Sequence, residues 1–112
     1  MLRRFLISKI YRAAVTATEL EYEGSLGLDE DLMDAAGLLA GEIVHVFNIN
    51  DGNRFETYAI PMPRGSKAVT LYGAAARRGE PGDRIIILAY ALAEEPPAPR
   101  KIELDEKNDI VP

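Results

Sequence analysis

The chain has 112 residues, 47% hydrophobic and 28% charged, the balance of one small folded domain rather than a disordered tract. Its 18 acidic side chains outnumber 13 Lys and Arg, and the net charge of −5 argues against a nucleic-acid binder, which works through a positive field. Cysteine is absent, which excludes disulfides, thiolate chemistry and the common zinc sites, and fits a reducing compartment.

From the N-terminus, Leu2–Val15 carries Leu, Ile, Tyr and Val without Gly or Pro and predicts a strand. Met1–Ile7 lacks the apolar core and cleavage site of a secretion leader, and no apolar run is long enough for a membrane-spanning helix. A soluble, cytoplasmic protein is the expectation. Leu20-Glu21-Tyr22 alternates like a short strand and is broken at Gly24-Ser25, a pair that by itself reads as a turn. Asp29–Leu38 predicts a helix, with Asp29 as cap, acidic residues in the first turn, and Leu32, Met33 and Ala36 facing inward.

Glu42–Ile49 predicts a strand, and Asn50-Asp51-Gly52-Asn53 a tight hairpin turn. Arg54–Ile60 is the returning strand, closed by Pro61-Met62-Pro63. Ala68–Tyr72 and Arg84–Leu92 read as further strands, with one or two helical turns at Gly73–Arg78 between them. The three prolines of Glu94–Pro99 exclude helix and central strand, so residues 94–112 are expected to be an arm beyond a domain of residues 1–93. A last short strand at Ile102–Leu104 and a turn at Asp105–Asp109 would follow. Short strands with turns every few residues predict a mainly β fold with short helices, a small barrel or sandwich.

Few residues are equipped for chemistry. His45 is the only histidine and shares a strand face with Ile43 and Phe47, so a hydrogen-bonded structural role fits it better than metal ligation. No metal site is expected. Asp29, Asp31 and Asp34 sit where a helix start is normally acidic. Small residues at Gly73-Ala74-Ala75-Ala76 could pack closely or offer backbone N–H groups to an anion. On the strand after the hairpin, alternation sends Arg54 and Tyr58 to one face and Thr57 to the other.

Taken in order, these pieces resemble the pyruvoyl-dependent aspartate 1-decarboxylase family. The resemblance runs to about Leu92. It is carried by Lys9 in Ser8-Lys9-Ile10-Tyr11-Arg12-Ala13, by Tyr22-Glu23-Gly24-Ser25, and by Asp29-Glu30-Asp31-Leu32 leading to Asp34-Ala35-Ala36-Gly37. It continues through Asn53-Arg54-Phe55, Thr57-Tyr58-Ala59, Arg64-Gly65-Ser66, and Gly73-Ala74-Ala75-Ala76 with Gly82-Asp83 after it. Two positions depart from the family pattern: Tyr72 stands where Asn is usual and Tyr11 where His is common.

The resemblance implies a double-psi β-barrel, a homotetramer with active sites between neighbouring subunits, and L-aspartate as substrate. It implies that Ser25 attacks the Gly24 carbonyl, that the chain is cut there, and that residue 25 becomes a pyruvoyl group. That group would serve as the electrophile and electron sink for decarboxylation to β-alanine, for pantothenate and coenzyme A synthesis. By the same resemblance Thr57 assists cleavage, Tyr58 donates a proton, and Lys9 and Arg54 bind carboxylate. Gly73, Ala74 and Ala75 would contact substrate through their backbone. Whether cleavage is spontaneous or assisted by another protein stays open. The competing reading is a diverged relative that keeps the barrel as a small-molecule-binding or assembly subunit without decarboxylase activity.

Overall fold

A computed structural model describes all residues from Met1 to Pro112. Eight strands form a single sheet: β1 (Arg3–Ala14), β2 (Ala17–Glu19), β3 (Ser25–Asp29), β4 (Ile43–Asn48), β5 (Arg54–Met62), β6 (Val69–Tyr72), β7 (Arg84–Ala93) and β8 (Arg100–Glu103). One α-helix, α1 (Glu30–Ala36), and a 3-10 helix (Gly73–Arg78) are the only helical elements. The strand order is β2-β6-β3-β5-β4-β7-β1-β8, which mixes parallel and antiparallel neighbours. The fold is mainly β and consistent with a double-psi barrel whose edge strands, β2 and β8, do not pair with each other.

β5 is the hinge of the sheet. Its first half, Arg54–Tyr58, runs antiparallel to β4, and its second half, Ala59–Met62, runs parallel to β3. Pro61 therefore lies inside a strand, where the sequence pattern had placed a stop. The Ala59 N–H points to the β4 side and donates to Glu42 O at 3.0 Å. Two residues on, Pro61 faces the same side past the end of β4, where no ladder bond is lost.

Inward residues of the sheet and helix meet in one core of 19 buried apolar residues, including Ile10, Leu26, Leu28, Leu32, Leu71, Ile85 and Ile87. Each such side chain contributes about 1.5–3 kcal/mol on burial. On β4 the alternation is clean: Val44, Val46 and Asn48 are buried, while Ile43, His45 and Phe47 face outward.

Two expectations are corrected. The second strand is Ala17–Glu19, paired parallel with β6, whereas Leu20 and Tyr22 are exposed beyond its end. Gly24-Ser25 is no simple turn either, because Ser25 opens β3, a fully buried strand bonded on both sides, to β5 and β6. After Pro99 the chain returns beside β1 as β8, and Asn108 ties the segment down. Its side chain donates to Ala14 O at 2.9 Å and Lys67 O at 3.0 Å and accepts from Ala14 N at 2.7 Å.

Candidate active site

β3 gathers the predicted pieces. Ser25 pairs with Tyr72, and Leu26 pairs with Leu71 on one side and Ala59 on the other. Carrying the β3–β5 register back one residue sets Ser25 beside Tyr58, between that strand and Tyr72. Thr57 adjoins on the opposite face of β5. Ser25 is 1% exposed and its hydroxyl has no hydrogen-bond partner. A buried orphan hydroxyl costs about 1–3 kcal/mol.

Backbone freedom is needed at Gly73 rather than at Gly24. Gly73 has φ +65°, and a Cβ there would lie 2.6 Å from Tyr22 O and 2.8 Å from Gly24 N and Cα. Only glycine lets the start of the 3-10 helix press onto the chain just before Ser25. No side chain caps that helix, whose Ala75 is buried and Ala74 exposed. Tyr72, one residue earlier, packs at a tilt against Tyr22 with ring centres 4.5 Å apart, and its hydroxyl donates to Met62 Sδ at 3.7 Å. Gly27 houses that ring, since a Cβ at residue 27 would meet Tyr72 Cε2 and Met62 Sδ at 2.9 Å.

The two predicted carboxylate binders stand apart from this cluster. Arg54 opens β5, four residues before Tyr58, and its guanidinium lies 4.5 Å over the Phe47 ring. Lys9 Nζ lies 5.5 Å from the Tyr11 ring centre. Neither cation is paired with a protein carboxylate. Register places Lys9 in a row with Leu88, His45 and Glu56, so it is three strands, about 14 Å, from β5. One chain thus brings Gly24, Ser25, Tyr58 and Gly73 together, and leaves Arg54 four residues along the strand face that Tyr58 shares and Lys9 three strands away.

His45 and Glu56 were missed as a pair. His45 Nε2 donates to Glu56 Oε2 at 2.7 Å, and Nδ1 is 3.3 Å from the Tyr90 hydroxyl. A two-residue turn at Asp51-Gly52 would set residue 45 opposite residue 58; the observed loop spans residues 49–52, with Asn48 N donating to Asn53 O, and sets it opposite Glu56.

The acidic helix start is structural, as expected. The buried Asp29 carboxylate accepts from the N–H groups of Asp31 at 2.8 Å, Gly65 at 3.1 Å and Lys67 at 2.8 Å. Burial alone would raise its pKa, but these three backbone donors, led by Lys67, outweigh burial and hold it below 3.8. Asp31 and Asp34 bind Arg64 at 2.8 and 2.7 Å, with Glu30 at 3.2 Å. The hydrogen bonds it donates to Asp34 and Asp31 raise the pKa of that guanidinium. No group of three or more His, Asp or Glu side chains forms a metal-ligating set.

The fold is mainly β, and its Ser25 hydroxyl is buried and unbonded just after Gly24, against which Gly73 packs. The family described as aspartate decarboxylase matches residues 1–111. A Thermotoga petrophila protein named aspartate 1-decarboxylase is 50% identical over 111 residues, covering 99% of this chain and 97% of that protein. Proteins of the same name from Leptothrix cholodnii and Carboxydothermus hydrogenoformans are 52% and 53% identical, covering 98% and 92% of this chain and 87% and 84% of theirs. The chain belongs to the aspartate decarboxylase family.

Proposed function

We propose that this chain is an L-aspartate 1-decarboxylase that forms its own pyruvoyl group by cleavage between Gly24 and Ser25, and releases β-alanine and CO2. The observation that carries the reading is the Ser25 hydroxyl, buried and unbonded beside backbone that Gly73 alone can approach. Family membership supports the reaction class. The orphan oxygen and the cradle that any Cβ at residue 73 would fill are what a residue converted in place requires.

The Ser25 oxygen attacks the Gly24 carbonyl carbon, so that an ester replaces the amide. Elimination then frees the Gly24 carboxylate and leaves residue 25 as dehydroalanine, which takes up water and loses ammonia. A hydroxyl free of competing hydrogen bonds is a better nucleophile for this step, and the family resemblance gives the assisting hydroxyl to Thr57. A pyruvoyl group at residue 25 supplies an electrophilic carbonyl for the substrate amine and an electron sink as the α-carboxylate departs.

The remaining work falls to this chain's side chains. Tyr58, level with residue 25, returns a proton to the substrate carbon. Arg54 and Lys9 grip carboxylate. Their main partner is the side-chain carboxylate that survives, because holding the departing one would stabilise a charge that the transition state disperses. Gly73, Ala74 and Ala75 contact substrate through backbone groups. An acidic protein can bind a dicarboxylate because Arg54 and Lys9 are not neutralised by protein carboxylates.

Lys9 and Ser25 are separated by several strands within one chain, which supports completion of the site by a neighbouring subunit in a homotetramer. Residues 1–93 are the catalytic barrel in this reading and residues 94–112 its arm. The cytoplasm is the compartment it implies, with β-alanine supplied to pantothenate synthesis. Intact-mass analysis tests the proposal. Two chains are expected, Met1–Gly24 and a longer one blocked at its N-terminus. Borohydride in the presence of aspartate should then add mass only to the longer chain. A single unbroken chain after long warm incubation, with no CO2 from aspartate, overturns it.

A further inference from the structure

The face of β5 that presents Arg54 also presents Glu56, two residues or about 7 Å along the strand. A guanidinium and a carboxylate that close can join in a two-pronged ion pair. They do not. Arg54 lies flat on Phe47 at 4.5 Å, and Glu56 is bound by His45 at 2.7 Å. All four residues, with Phe55, border one open depression of about 400 Å³.

His45 is fixed at both ends. Its Nε2 donates to the Glu56 carboxylate, and in the neutral ring Nδ1 is then an acceptor for the Tyr90 hydroxyl, 3.3 Å away. Tyr90 packs edge-on against the imidazole, with centres 5.1 Å apart, and is itself covered by the Arg4 guanidinium at 4.9 Å. His45 also lies parallel to Phe47, 6.4 Å away, so one ring borders both the Arg54 platform and the Glu56 carboxylate.

From this geometry we infer that His45 is a positioning residue: it engages Glu56 so that Arg54 stays free on Phe47 for a substrate carboxylate. The inference rests on the carboxylate role proposed for Arg54. Without the imidazole, Glu56 becomes the nearest unengaged acceptor, and an internal ion pair takes the donors that substrate needs. The effect falls on binding and spares the chemical step, because the side-chain partners of His45 are Glu56, Tyr90 and Phe47, not Ser25 or Tyr58.

The test measures aspartate kinetics together with calorimetric binding of succinate, which carries two carboxylates and no amine and so reports on Arg54 without turnover. His45→Leu should raise KM for aspartate and Kd for succinate five- to tenfold, with kcat within twofold of the parent. His45→Gln, which keeps a donor for Glu56, should stay close to the parent in both. Adding Glu56→Gln to His45→Leu should restore KM and Kd to within twofold, a rescue that lost packing would not show. Unchanged KM and Kd in His45→Leu, or a double variant as weak as the single, overturns the inference. Succinate binding that follows this pattern in a protein releasing no CO2 from aspartate supports the role of His45 while refuting the decarboxylase reading.

Discussion

The two ends of β3 carry buried polar side chains under opposite conditions. At its C-terminal end Asp29 is fully buried, and its carboxylate accepts three backbone N–H groups while capping α1 and holding the 65–67 loop. At its N-terminal end Ser25 is equally buried and its hydroxyl bonds to nothing. The strand is only five residues long and both ends lie in one sheet, so the contrast is not one of environment or exposure. A structural polar group is fully satisfied when it is buried, whereas an unsatisfied one persists where reactivity is worth its cost. Asp29 fixes the fold around β3, and Ser25 spends part of that stability.

Removing each group should separate the two roles. Ser25→Ala produces the largest functional effect: no cleavage and no CO2 release. Its melting temperature should equal or exceed that of the uncleaved parent, because the lost hydroxyl had no partner. Mass spectrometry and a thermal melt read both outcomes. A destabilised Ser25→Ala protein would mean that the hydroxyl is structural, and the contrast along β3 would fail. Asp29→Ala works the other way. It removes a helix cap and orphans two loop N–H groups, at a cost of about 3 kcal/mol measured by urea unfolding.

Acid should sharpen the comparison with a smaller effect. The folded Asp29 carboxyl lies below its ordinary value of 3.8, so ionised Asp29 favours the native state. That stability is fully present above the unfolded value and is lost as pH falls through the folded one. Asp105 acts in the same direction, its carboxylate accepting from the backbone N–H groups of Asp109 and Lys107. Unfolding free energy should therefore fall as pH drops below about 4, and Asp29→Ala should flatten part of that fall and leave the Asp105 part. A variant with the parent's full acid slope would show that Asp29 is not the linked group.

What the sequence made legible follows the range of the interactions. The Asp29 cap, the Asp51-Gly52 hairpin and the apolar run of β7 are decided within a few residues, and the observed elements fall close to expectation. β3 was hidden because Ser-Leu-Gly-Leu-Asp has a glycine at its centre and no β-branched residue, and is a strand only by virtue of β5 and β6 on its two sides. Pro61 misled for a similar reason, since its place in β5 depends on where β4 ends. For the site, residue types pointed to no chemistry at Gly24-Ser25, and only resemblance to a family gave the pair meaning. The tight approach of Gly73 to Tyr22 and Gly24 joins segments some fifty residues apart, which no local pattern encodes.

Ser8 is the control that the comparison needs. It too is 1% exposed with an unbonded hydroxyl, so an orphan oxygen alone does not mark a reactive serine. The surroundings differ. Ser8 lies within β1, between β7 and β8 and next to a break in register with β7, and its backbone pairs with Ala89 and Arg100. Ser25 opens a strand and is preceded by Gly24, against which a second glycine, Gly73, packs in a left-handed conformation. Ser8→Ala should therefore leave cleavage and decarboxylation at parent levels and shift stability by no more than about 1 kcal/mol, in the stabilising direction, because it removes a buried oxygen without orphaning a partner. Slower cleavage in Ser8→Ala would show that the unbonded state of a serine, wherever it occurs in this sheet, bears on maturation, and the special standing of residue 25 would then have to rest on Gly73 alone.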